Sequence, residues 1–65
     1  MYDVIENHNF YSKPVIASFD TFYEAMSFVL RDRSIIVFEV DEDNEGCADY
    51  FTDKGVVGMI EPRSE

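Results

Sequence analysis

Apolar and polar residues alternate along several short stretches of this chain and recur at helical spacing in only one. Tyr2 to Glu6 places Tyr2, Val4 and Glu6 on one side and Asp3 and Ile5 on the other, the period of a half-buried strand. Asn7-His8-Asn9 reads as a turn. Pro14 to Phe19 predicts a second strand with Val15, Ala17 and Phe19 on one face, and Pro14 at its first position, where the missing N–H does least harm. Between Thr21 and about Asp32 the period changes. Phe22, Ala25, Met26 and Val29 fall at i, i+3, i+4 and i+7, a single helical stripe with Leu30 at its edge. Asp20 or Thr21 can cap this helix, and Thr21-x-x-Glu24 fits a capping box. Phe28 lies about 120° from the stripe's centre, so it is covered by a loop or partly exposed.

Alternation then resumes. Ser34 to Asp41 predicts a strand with Ile36, Phe38 and Val40 on one face and Ile35, Val37 and Glu39 on the other, and apolar residues on both faces predict a central place in the sheet. An acidic loop from Asp41 to Gly46 leads to a strand from Cys47 to Thr52. Asp53-Lys54-Gly55 makes a tight turn in which Gly supplies a positive φ, and a fifth strand runs from Val56 to Glu61 before Pro62. The order β-β-α-β-β-β implies an α+β fold: a single domain over residues 1–65, with a largely antiparallel four- to five-stranded sheet and one helix packed on one face. The other face would then carry Ile16, Ile35 and Val37, as scattered surface residues or as a partner surface.

Length and charge narrow the function. Sixty-five residues allow one small domain and exclude the two-lobed clefts in which most enzymes bury a substrate. Five Lys and Arg stand against 14 Asp and Glu, a formal charge of -9, so the surface field repels phosphates and argues against direct nucleic-acid binding. With 46% hydrophobic residues the chain is too rich in core-formers to be a disordered acidic tail. Its apolar runs are far shorter than a membrane span, and no basic segment precedes an apolar one as in a signal peptide. A lone cysteine, Cys47, points to a reducing cytoplasm.

Seven carboxylates, Glu39, Asp41, Glu42, Asp43, Glu45, Asp49 and Asp53, fall in a stretch without Lys or Arg. Crowding like charge costs stability, so the run asks for a reason. If the strand persisted, Glu39, Asp41 and Asp43 would share a face at about 6.8 Å spacing, with Asp49 joining from the paired strand. A globule of this length is roughly 28 Å wide, and duplex DNA of that length carries about 16 phosphates. The net charge is somewhat more than half of that, enough to imitate one side of a duplex before a basic groove. The plainer readings are a solvated acidic surface that maintains solubility, or adaptation to high salt.

Other chemistries are thinner. Asp41-Glu42-Asp43-Asn44-Glu45-Gly46 resembles the start of a calcium-binding EF-hand loop, but position 12 is Thr52 where a bidentate Glu is required, and the flanks read as strands. His8 and Cys47 are the sole members of a possible dyad, and no orienting residue is evident. One Cys and one His cannot close a zinc tetrahedron, and Lys54-Gly55 lacks the rest of a phosphate loop. No catalytic residue, metal site or cofactor is assigned.

In size, charge and α/β pattern the whole chain resembles the small acidic anti-CRISPR proteins of phages and mobile elements, particularly those whose carboxylates stand in for DNA phosphates; Glu39 to Asp53 carries the resemblance. The resemblance implies a non-enzymatic inhibitor that binds a basic surface of a CRISPR effector complex and blocks recognition of target DNA. The expected partner is thus the basic surface of a nucleic-acid-binding effector complex in the host cytoplasm, and the chain itself is expected to be a monomer or weak homodimer. The alternative is a protein-interaction module, an antitoxin or accessory subunit, that docks through the apolar sheet face.

Overall fold

Five strands and one helix form where the two periodicities lie, and a computed structural model describes residues 1–7, 9 and 11–63. In chain order they are β1 (Tyr2–Glu6), β2 (Val15–Phe19), α1 (Phe22–Leu30), β3 (Ile35–Val40), β4 (Ala48–Thr52) and β5 (Val57–Pro62). Every strand pairing is antiparallel, in one open sheet of order β2-β1-β5-β4-β3. The α+β architecture is as the periodicities predict.

Thr21, not Asp20, caps α1. Its hydroxyl oxygen accepts the Glu24 N–H at 3.2 Å and its O–H donates to Glu24 Oε1 at 3.0 Å, satisfying one of the N–H groups a helix start leaves open. The apolar stripe then meets the sheet. Ala25 and Val29 are buried against Val4, Ala48, Tyr50 and Ile60, and Phe22 and Met26 pack at the border. The ring of Phe22 stands edge-on to Tyr2 at 5.9 Å. Each fully buried Val or Ile contributes about 1.5–3 kcal/mol, and Val4, Ile5 and Ile60 are the largest such side chains. Phe28, off the stripe, is partly exposed and leans on Phe19 with ring centroids 5.3 Å apart.

Tyr50 lies across its cross-strand neighbour Gly58. A Cβ at Gly58 would collide with the Tyr50 ring, so the missing side chain is what lets the ring lie flat on the sheet. The phenol donates to Glu6 Oε1 at 2.8 Å, and burial followed by this contact raises its pKa above the ordinary value. Gly55, at φ 85°, makes the turn between β4 and β5. Asn7 also has positive φ, and the Asn9 carboxamide accepts the N–H groups of Tyr11 and Ser12 in the β1–β2 turn. His8 lies outside the described residues.

Two expectations fail. First, β3 is an edge strand, not a central one. Apolar residues on both faces mark β3, but one face packs on the core through Ile35 and Phe38 while Ile36, Val37 and Val40 remain exposed. Second, Ile16 and Ile35 do not sit on the face away from the helix. Between Val4↔Ala17 and Ile5↔Val15, strand β2 holds one extra residue, Ile16; between Ile35↔Thr52 and Val37↔Phe51, strand β3 holds Ile36. Each β-bulge resets the alternation. Ile16 and Ile35 consequently line an open cleft of about 350 Å³ beneath the C-terminal end of α1, beside Phe28 and Tyr50. Of the predicted trio, only Val37 is left on the far face. There it heads a cross-strand row, Val37–Phe51–Val57, whose members are 48%, 39% and 44% exposed.

Candidate functional site

The β3–β4 hairpin gathers the acidic segment. Within it Glu39 and Asp49 are directly opposed, both exposed on the far face. In antiparallel pairing this brings their Cβ atoms to about 4.5–5.5 Å, a placement that is unfavourable for like charges.

The strand does not persist to Asp43 as the simple face argument required. It ends at Val40, and Asp41 turns the chain. Asp41 Oδ1 accepts the N–H of Asp43 and Oδ2 accepts the Asn44 carboxamide, both at 2.9 Å. The Asn44 contact first and the Asp43 N–H second hold the Asp41 carboxyl below its usual range. The hairpin is closed by Asp41 N–H to Cys47 O at 2.9 Å and Cys47 N–H to Asn44 O at 3.1 Å, with Gly46 at φ 82°. Thus Asp41 is first a structural residue of the loop, and Glu42, Asp43 and Glu45 are its exposed carboxylates.

Glu39, Asp41, Glu42, Asp43 and Asp49 line one shallow depression of about 510 Å³ together with Val40. Two predicted members fall outside it. Glu45 is exposed further along the loop, and Asp53 lies at the opposite end of the β3–β4 ladder, where its N–H donates to Ser34 O at 2.8 Å. That distance along the strand separates residues which are near neighbours in the acidic run only by sequence.

The cations stand elsewhere. Among the described residues two ion pairs form, Lys13 with Glu61 at 3.4 Å and Arg63 with Asp3 at 2.7 Å, both on the β2–β1–β5 side of the sheet. The Asp3 cluster was not legible from spacing. Arg63 donates from Nη2 to Asp3 Oδ1 and from Nε to Oδ2, and also to Ser18 Oγ, while the Ser18 hydroxyl donates to Asp3 Oδ1. Arg63 chiefly, then Ser18, draws the Asp3 pKa down against the opposing effect of burial. Arg63 thereby clamps β5 onto β1: Pro62 belongs to β5, and Arg63 N–H donates to Met1 O at 2.8 Å.

Among the described residues no group of three or more His, Cys, Asp and Glu is arranged to hold a metal ion. Thr52, at the twelfth position of the calcium-like loop, is buried, and its hydroxyl oxygen accepts the Val56 N–H. Burial, followed by the charges of Asp41, Glu61 and Asp49, raises the Cys47 pKa, and this environment disfavours a nucleophilic thiolate.

Fold and site together describe a small α+β domain whose charge is segregated, with an uncompensated acidic hairpin at one corner of an open sheet. Comparison with protein-family models, curated proteins and solved structures returns no match to this chain. No helix among the described residues is long and apolar enough to cross a membrane.

Proposed function

We propose that this chain is a non-enzymatic acidic inhibitor that occupies a basic nucleic-acid-binding surface of a CRISPR or other defence complex, its carboxylates taking the place of DNA phosphates. The observation that carries the reading is the opposed pair Glu39 and Asp49, set with Asp41, Glu42 and Asp43 around one open depression that no cation shares. A domain gains nothing in its own stability from that arrangement, whereas a basic groove gains a preformed array of charge. The longest dimension of the molecule is 32 Å, a length over which duplex DNA carries about 19 phosphates. The formal charge of -9 is about half of that, in keeping with presentation of one side of a duplex.

The test is competition with DNA for a purified effector complex at several salt concentrations. The informative variant neutralises Glu39, Glu42, Asp43 and Asp49 to Gln or Asn and spares Asp41, which holds the loop. At about 1 kcal/mol per exposed contact, with incomplete additivity, affinity should fall about 100- to 1,000-fold and its salt dependence should flatten. A second reading has its own observation, the exposed apolar row Val37–Phe51–Val57, and makes the chain an interaction module. If the neutralised variant folds and competes as well as the native chain while Phe51→Ser and Val57→Ser abolish binding, the interaction-module reading replaces the first.

A further inference from the structure

We infer that the free edge of β3 is a pairing site for a second copy of this chain, joined antiparallel across a two-fold axis so that the two sheets become one. This inference does not depend on the inhibitor reading.

The two edges of the sheet are not alike. β2 begins directly after Lys13-Pro14, a charge and a residue without an N–H, both of which discourage strand addition. β3 reads Ile-Ile-Val-Phe-Glu-Val, with no Lys and no Pro, and leaves Ile36 60% exposed with Val37 and Val40 close to half exposed. A hydrophobic edge of this kind offers unpaired backbone groups and apolar side chains to an incoming strand.

Charge selects both the occupant and the direction. Three of the five cations, Arg31, Arg33 and Lys54, lie at the start of β3, because Asp53 N–H to Ser34 O brings the β4–β5 turn beside it. Two carboxylates, Asp32 and Asp53, accompany them. The other end of β3 carries Glu39, Asp41, Glu42 and Asp43 with no cation. Parallel pairing of two copies would set acidic end against acidic end. Antiparallel pairing sets each acidic end against a cationic one. Antiparallel pairing along Ile35–Val40 brings the segment that precedes β3, with Arg33, beside the Asp41–Asp43 loop of the second copy. Such a two-fold contact is self-complementary, as a closed dimer requires.

Sedimentation equilibrium over a range of concentrations tests this, with circular dichroism to establish that each variant is folded. The native chain should approach twice its mass of 7.6 kDa. Ile36→Lys with Val40→Lys should return it to the mass of one chain, although the two added cations lower the net repulsion between copies. Arg33→Glu should weaken association about tenfold, and adding Asp43→Arg should restore it. A native chain that keeps the mass of one copy up to its solubility limit overturns the inference. So does a folded double-Lys variant that still pairs, or an Arg33→Glu variant that pairs as tightly as the native chain. Loss of pairing on Phe51→Ser alone, with the double-Lys variant still dimeric, would place the contact on the far face instead.

Discussion

If the acidic hairpin is kept for binding and not for folding, removing one of its opposed charges should make the domain more stable. Glu39 and Asp49 face each other across β3 and β4 and are both exposed, so water is the relevant medium. Two unit charges about 6 Å apart in water repel by about 0.7 kcal/mol before screening. Screening reduces this to about 0.6 kcal/mol at 0.01 M ionic strength and about 0.3 kcal/mol at physiological strength. In a domain of this size 1 kcal/mol moves the melting temperature by about 4–8 °C, so Glu39→Gln or Asp49→Asn should raise Tm by about 2–5 °C at low salt and about 1–2 °C at physiological salt. Combining the two should add much less than the sum, because either change alone removes the pair repulsion. The assay is thermal unfolding followed by circular dichroism across a salt series. A fall in Tm for either isosteric change, or a gain that does not shrink with salt, would refute the charge argument and make the pair a structural contact. A rise in Tm accompanied by weaker competition for the partner is the signature expected of a surface maintained for binding.

Gly58→Ala should cost the fold about 2–4 kcal/mol, since the new methyl group collides with the Tyr50 ring and the phenol loses its hold on Glu6. Gly55→Ala has open space and only its positive φ against it, a cost of about 1 kcal/mol; equal denaturant midpoints for the two would contradict the packing described. Arg63→Ala should cost about 1–2 kcal/mol by leaving the buried Asp3 carboxylate with Ser18 alone, and an unchanged urea midpoint would show that the clamp is incidental. Stability should fall at both ends of the pH range. Asp3, Asp32 and Asp41 have lowered pKa values, so their contribution is present above the ordinary Asp value and is lost as pH drops through their folded values. The Tyr50 phenol is raised, so its contribution is complete below the ordinary phenol pKa of about 10 and is lost above it. Urea midpoints that stay flat from acid to alkali would count against both sets of contacts.

Element identity was legible because it depends on neighbours in sequence. The stripe Phe22, Ala25, Met26 and Val29, the Thr21–Glu24 cap and the Gly55 turn each need only a few consecutive residues, and all three are present in the fold. The cluster of acids on one hairpin was equally visible, since a strand, a short loop and a strand must place Glu39 near Asp49. What the sequence could not reveal depends on contacts between distant segments. Apolar residues on both faces of β3 do not distinguish a central strand from an edge strand whose exposed side chains remain open to solvent. Single-residue bulges at Ile16 and Ile36 shift which side chains face the helix, and a period of two carries no mark of where it will slip. Arg63 reaches Asp3 only because β5 pairs with β1, and Asp53 leaves the acidic group only because β4 runs the length of β3 before the chain turns. Local periodicity therefore set what each segment becomes, while the order and register of the strands decided which charges are neutralised, which are left to repel and which edge stays open.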